Sequence, residues 1–178
     1  MLTTPVADAA ETRANATYEA ILWAFSRPGM PRRMPHSGEA GVIEALIDRE
    51  CAVHAADPLL IPPLLQAGAR LVEPEAADHV FAGRLTDPAL LGRCRAGSAL
   101  YPDDGATLVI RARFGQGAGV RFVGPGVDGG VKLRIGDLPE GFWRDRARCV
   151  RYPAGVDILF LDGEGLIGLP RSTTVEVM

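Results

Sequence analysis

The feature that most constrains the fold is a short apolar run near the carboxyl end of the chain. Between Val156 and Leu161, three large apolar residues stand in succession, Ile158, Leu159 and Phe160. Because successive side chains of a strand point to opposite faces, this run is typical of a strand that is buried on both faces. Such a strand needs a covering layer on each side, which favours an α/β fold.

Several helical segments could supply these layers. Apolar residues recur with helical spacing over residues 9–25, before a Ser-Arg-Pro-Gly stop, and again over residues 39–49. Residues 138–150 are helical in composition, and Asp57 and Asp87 can each begin a shorter helix. This order predicts a three-layer α/β/α sandwich around a mixed sheet, built as one domain over residues 1–178.

A hairpin is predicted in the middle of the chain. Residues 106–114 are rich in β-formers and alternate apolar positions with positions that include Arg111 and Arg113. The glycines of residues 115–119 would form the turn, and residues 120–123 would form the returning strand. The other predicted strands cover residues 51–54, 70–72, 79–81, 156–161, 166–169 and 173–177.

Composition excludes several functional classes. A formal net charge of −3 argues against a broad surface for nucleic acid or for an anionic membrane. No apolar run approaches the ~18 to 20 residues that span a bilayer, and the first residues resemble no secretory leader. The three cysteines lie far apart and give no disulfide framework, so a reducing cytoplasm is expected.

Familiar catalytic motifs are missing from the sequence. It contains neither a G-x-S-x-G nucleophile elbow nor a P-loop, and Gly115, Gly117 and Gly119 stand between two β-like runs instead of opening a helix. Cys51 and His54 are three residues apart, but the remaining cysteines and histidines are scattered, so no metal site is predicted.

Two aspartates and one terminal motif are the candidates for a site. Asp48 stands where a helix gives way to a strand, and Asp157 interrupts an apolar strand, so each needs a partner such as a backbone turn or an arginine. The terminal motif combines a guanidinium with hydroxyls that could grip a phosphate or carboxylate, in Arg171, Ser172, Thr173 and Thr174. Alternatively, these hydroxyls cap the start of a strand locally and Arg171 is exposed.

These residues also carry a family resemblance. Residues 152–158 (Tyr-Pro-Ala-Gly-Val-Asp-Ile) and 169–177 (Leu-Pro-Arg-Ser-Thr-Thr-Val-Glu-Val) are similar to the P-x-G-[VI]-D and P-R-[ST]-T segments of the PhnH family. Weaker matches lie at residues 26–29, 45–50, 105–109 and 124–127. The match at residues 26–29 adds Arg27 to the candidate ligand or interface residues, and the match at residues 45–50 contains Asp48. The family usually has a Phe-Arg pair where this chain has Thr17-Tyr18, so no role passes to that arginine.

The resemblance, which covers nearly the whole chain, implies a cytoplasmic role in the use of alkylphosphonates. Subunits G, H, I and J of this carbon-phosphorus lyase system form a two-fold symmetric complex. With a further subunit they displace adenine from ATP by phosphonate, giving ribose 1-alkylphosphonate 5-triphosphate. Because the nucleosidase-like site is attributed to subunit I, a structural or supporting role is implied here, with a homodimer in isolation.

The family fold is similar to a shortened pyridoxal-phosphate transferase without the cofactor. Lys132 is the only lysine that could form a Schiff base, and it follows two glycines in a predicted loop, so no cofactor is expected. A second hypothesis is an independent enzyme that binds a phosphorylated substrate through Arg171, Ser172 and Thr173 near Asp157. That hypothesis predicts turnover without partner subunits, and the sequence leaves the choice open.

Overall fold

The computed structural model describes residues 6–178. Its α-helices are α1 (Ala9–Ser26), α2 (Glu39–Leu46), α3 (Ile61–Gln66), α4 (Ala89–Arg93) and α5 (Phe142–Cys149). The Asp8 carboxylate accepts the Glu11 N–H at 2.8 Å and so caps α1. α2 ends three residues before its predicted end, because Ile47 adopts an extended backbone. Within the described residues, none of the helices combines the length and apolar character needed to span a bilayer.

The larger sheet has seven strands. They are β1 (Arg32–Arg33), β2 (Ala52–Ala55), β3 (Arg70–Leu71), β4 (His79–Arg84), β5 (Thr107–Arg111), β8 (Asp157–Asp162) and β9 (Gly165–Leu169). Their order across the sheet is β1-β9-β8-β5-β4-β2-β3. β2, β3, β4, β5 and β8 run parallel, whereas β9 runs antiparallel to both of its neighbours, β8 and β1. The mixed sheet that the sequence predicted is therefore confirmed.

The parallel strands give the sheet two chemically different edges. We call the edge where these strands begin the amino edge and the edge where they end the carboxyl edge. β8 begins with Asp157 beside Thr107 of β5 and ends with Asp162. Every loop that connects two parallel strands therefore leaves from the carboxyl edge and returns at the amino edge.

The apolar run of β8 is buried on both faces, as its sequence predicted. Ile158 and Phe160 pack on one face with Phe142 of α5 and Leu91 of α4. On the other face lie side chains from α1, α2 and α3, together with Leu159. Burying a side chain of this size stabilises the fold by about 1.5–3 kcal/mol, so β8 is a main source of the fold's stability.

The predicted hairpin was wrong. Ala112 alone separates β5, in the larger sheet, from β6 (Arg113–Val123), which forms a second sheet with β7 (Val131–Gly136) and β10 (Thr174–Val177). The glycines lie within β6, where the pairing with β7 shifts between Phe114 and Ala118. Gly115 and Gly117 have φ values of 77° and 74°, so they form an irregularity inside a strand, not a turn between strands.

Together with α4 and α5, the second sheet covers one face of the larger sheet. Phe122 of β6 and Ile135 of β7 are buried in the same cluster as Ile158. The covering layer on this side therefore contains strands as well as helices, whereas the sequence predicted helices alone. β7 was not predicted at all, and Lys132, which we expected in a loop, is an exposed residue of this strand.

Candidate functional site

Asp157 and Arg171 form a bidentate ion pair at the amino edge. The Asp157 carboxylate accepts the Arg171 Nη2–H at 2.5 Å and the Nε–H at 3.1 Å. It also accepts the Arg171 backbone N–H at 2.7 Å, which fixes the turn after β9. The two side chains are only 13% and 22% exposed, for arginine and aspartate respectively. The sequence alternative in which Arg171 is exposed is therefore wrong.

The remaining donors of Arg171 hold the loop before β5. Its Nη1–H donates to the Pro102 carbonyl, and its Nη2–H donates to the Gly105 carbonyl at 3.4 Å. A Cβ atom at Gly105 would overlap both the guanidinium and the Gly155 carbonyl, so this position needs glycine. We call the ion pair and the two carbonyls the Arg171 latch. It joins the start of β8, the turn after β9 and the loop before β5.

Two of the joined segments expose large apolar side chains. Leu100 and Tyr101 precede Pro102 and are 84% and 63% exposed. Tyr152, just before β8, is 73% exposed. We call these three residues the latched surface. It is a surface of the kind that protein interfaces use, because tyrosine is enriched at their centres.

A second arginine, which the sequence analysis did not single out, lies behind the terminal motif. Arg146 of α5 is 3% exposed and donates to the carbonyls of Thr173 at 2.8 Å and Pro170 at 3.0 Å. Burial lowers the pKa of Arg146 to about 10. Neither its Nε nor the buried Thr173 hydroxyl has a hydrogen-bond partner within the described residues.

The hydroxyls of the terminal motif line a shallow pocket beside Arg146. This pocket has a volume of about 260 Å³, and Ser172, Thr173 and Thr174 lie along it with Arg171 and Tyr152. The alternative prediction was that these hydroxyls cap the start of a strand. Among residues 6–178, none of the three makes such a hydrogen bond to the nearby backbone. The residues of the terminal motif therefore lie along one pocket, but Arg171 already donates to the groups of the latch.

The two other candidates do not join this cluster. One oxygen of Asp48 accepts the Glu50 N–H at 2.8 Å and forms the turn into β2, and this backbone hydrogen bond is the main reason that the pKa of Asp48 is lowered. Arg27 follows α1 and stacks on Trp23, with its guanidinium carbon 5.3 Å from the ring centre. Both contacts are local, as expected of side chains that stabilise turns.

Another pocket lies at the opposite, carboxyl edge. Its volume is about 460 Å³, and Arg84, Arg111 and Arg113 line it with Asp137 and Asp162. The alternation of Arg111 and Arg113 in the sequence was the only signal of this group. Arg84 could not be added to it from the sequence, because it comes from a different strand, β4.

Comparison with known proteins gives consistent matches. Residues 5–176 match the family model described as "Bacterial phosphonate metabolism protein (PhnH)". The chain is 32% identical over 175 residues to the "Putative C-P lyase subunit protein HtxG" of Stutzerimonas stutzeri, covering 93% of this chain and 87% of that protein.

A shorter match has the same identity. Over 85 residues the chain is 32% identical to the "Alpha-D-ribose 1-methylphosphonate 5-triphosphate synthase subunit PhnH" of Rhizobium meliloti (strain 1021), which covers 45% of this chain and 41% of that protein. The family model covers almost all of the described residues, including both edges of the larger sheet. The chain therefore belongs to the PhnH family of bacterial phosphonate metabolism proteins.

Proposed function

We propose that this protein is a supporting subunit of a carbon-phosphorus lyase core complex in the cytoplasm. In that role it assembles with subunits G, I and J, and the complex forms ribose 1-alkylphosphonate 5-triphosphate from ATP and an alkylphosphonate. Membership of the PhnH family supports the pathway, and both relatives are named as subunits.

The single observation that carries this proposal is the latched surface. Leu100, Tyr101 and Tyr152 are exposed, yet the Arg171 latch ties the loops that carry them to the larger sheet. A surface that is already ordered loses little conformational entropy when a partner binds. Exposed tyrosines on a rigid support are therefore suited to contact another subunit.

The chemistry of Arg171 favours this role over independent catalysis at the terminal motif. Its guanidinium donates to Asp157, Pro102 and Gly105, which leaves little capacity to bind a phosphorylated substrate. An enzyme that used Arg171 for its substrate would first have to break the latch. The likeness of the fold to a shortened pyridoxal-phosphate transferase, and the homodimer in isolation, remain predictions.

Co-expression with subunits G, I and J tests the assembly role. We expect the wild-type chain to elute with them as one complex in size-exclusion chromatography. Leu100→Ser combined with Tyr152→Ala should weaken or abolish that co-elution, whereas Leu59→Ser should not. Leu59 is a matched control because it is 81% exposed, close to the 84% of Leu100, and lies elsewhere, in a short 3₁₀-helix before α3.

Two outcomes would contradict the proposal. One is a wild-type chain that elutes alone in the presence of these subunits. The other is turnover of ATP and methylphosphonate by the purified chain alone, lost in Arg171→Ala with the fold retained, which would support the independent enzyme instead.

A further inference from the structure

We propose that the pocket at the carboxyl edge binds a phosphoryl-type oxyanion, either free or carried on a larger molecule. The proposal is independent of the assembly role, because the residues that line this pocket belong neither to the Arg171 latch nor to the latched surface. It concerns a different end of the sheet from the terminal motif to which the sequence directed attention.

Three arginines converge at this pocket because of strand register. Arg84 at the end of β4 lies directly opposite Arg111 at the end of β5. Arg113 follows two residues later, at the start of β6, and lines the same pocket. Like charges opposite one another on neighbouring strands are unfavourable, so this arrangement requires neutralising groups.

Carboxylates neutralise two of the three arginines. The Arg111 Nε lies 2.7 Å from a carboxylate oxygen of Glu39, and its Nη1 lies 3.2 Å from one of Asp57. Arg113 lies 3.4 Å from Asp162 and 3.9 Å from Asp137. Both Arg111 and Arg113 remain substantially exposed, at 44% and 59%.

Arg84 differs from both of its neighbours. Within residues 6–178, no carboxylate lies within 4.0 Å of its guanidinium and no hydrogen bond engages it. Of the charged residues that line the pocket, three are arginines and two are aspartates, Asp137 and Asp162. One Asp162 oxygen also accepts the Phe114 N–H at 2.9 Å, so its charge is partly satisfied by the backbone. Within the described residues, the four carboxylates engage Arg111 and Arg113, so Arg84 is the guanidinium of this pocket whose donors remain available to an anion.

The start of α2 adds further donors at the rim. Gly38 precedes this eight-residue helix and supplies no side chain to cap its first N–H groups, which are the positive end of the helix dipole. Ser37 and Gly38 both line the pocket. A Cβ atom at Gly38 or Gly163 would meet nothing within 4 Å, so there is space here for an oxyanion to approach.

Position and size agree with this assignment. Ligands of open α/β sheets bind outside the carboxyl ends of the strands, and here β4, β5 and β8 all end at the pocket. A volume of about 460 Å³ falls within the range of small-molecule sites. Guanidinium groups match tetrahedral oxyanions because they offer paired N–H donors in a fixed plane.

Isothermal titration of the purified chain with diphosphate at low salt tests the proposal. We expect saturable binding by the wild type, and Arg84→Gln should weaken it by about tenfold to a hundredfold, the effect of losing one charged hydrogen-bonding group. Arg84 is the suitable position because its removal breaks no ion pair within the described residues. Parallel titrations with methylphosphonate and ATP would show which molecule carries the oxyanion.

Arg148→Gln is the control for net charge. It removes the same charge from a side chain that is 71% exposed on α5, away from the pocket. Equal weakening by both substitutions would mean general attraction to a charged surface, and the proposal would fail. It would also fail if the wild type did not bind diphosphate at millimolar concentration, or if Arg84→Gln bound it as the wild type does.

The Leu100→Ser/Tyr152→Ala variant separates this proposal from the assembly role. It should bind diphosphate normally even when it no longer joins the other subunits. Loss of diphosphate binding in this variant, with the fold intact, would contradict the independence of the two edges.

Discussion

The amino and carboxyl edges of the same sheet use arginine in opposite ways. At the amino edge, Arg171 is held by Asp157, and Arg95 donates to Asp78 and to the Asp104 carbonyl, each at 2.5 Å. At the carboxyl edge, Arg84 has neither kind of partner within the described residues, and its neighbours are more exposed than Arg171.

The difference shows what decides the role of an arginine. A guanidinium has five N–H donors, and each donor used by the protein itself is unavailable to a ligand. The amino-edge arginines join loops and so stabilise the fold. The carboxyl-edge arginines retain free donors, and Arg84 retains the most. Substitutions at the two edges should therefore affect different properties.

The largest effect should come from comparing the two ends of β8. Asp157→Ala leaves Arg171 mostly buried without its counter-charge and should lower the free energy of unfolding by about 3 kcal/mol. Asp162→Ala removes a partner of Arg113, which is 59% exposed, and should cost only about 1 kcal/mol. Urea denaturation of both variants measures the difference, and equal losses would mean that the two edges are not distinct.

A smaller effect is expected from crowding the latch. Gly105→Ala places a methyl group against the Arg171 guanidinium and the Gly155 carbonyl and should cost about 2 kcal/mol. Gly92→Ala is the control, because a Cβ there would meet only the Cys149 sulfur at 3.9 Å and alanine favours a helix. A fall in thermal midpoint for Gly105→Ala alone is the expected result. A midpoint unchanged by Gly105→Ala would show that the latch can accommodate a methyl group, which would contradict this prediction.

At the carboxyl edge, removal of the unpaired arginine should leave stability nearly unchanged. Arg84→Gln breaks no ion pair within residues 6–178, so we expect its unfolding free energy to lie within about 0.5 kcal/mol of the wild type. The same urea titration measures this. A loss comparable to that of Asp157→Ala would show that Arg84 is a structural residue and would remove the contrast between the edges.

The smallest expected effect is a pH dependence at the start of β4. Burial lowers the pKa of His79 below its ordinary value of 6.5, and its Nδ1 is buried without a partner. Below about pH 6.5 the unfolded chain binds a proton that the folded chain does not, so stability should fall as the pH decreases from 6.5. His79→Gln should reduce this fall between pH 7 and pH 5. Equal pH profiles for wild type and His79→Gln would contradict the argument.

Much of the local structure could be predicted from the sequence. The helix predicted over residues 9–25 and the strand predicted for the β8 run are both present. Each was predictable because its apolar pattern depends on nearby residues alone. The hairpin was wrong because residues 106–114 and 120–123 have the composition of strands, but composition does not specify which strands pair. Ala112 marks the change of sheet, and it has no distinctive property in the sequence.

The candidate residues show the same division between local and long-range information. The sequence identified Asp157 and Arg171 and suggested an arginine as the partner of the aspartate, since a carboxylate inside an apolar strand needs one. It did not indicate Arg146, whose contacts with residues 170 and 173 depend on how α5 packs.

The sequence by itself determined the α/β class, the doubly buried strand, the terminal motif and the family resemblance, because all of these are encoded in neighbouring residues. Only the tertiary structure decided which arginines are free. Arg84, Arg111 and Arg113 meet through the register of β4 with β5 and the departure of β6 to another sheet. The physical reason is that the charge of an arginine is a property of the residue, whereas the neutralisation of that charge depends on groups that are distant in the chain.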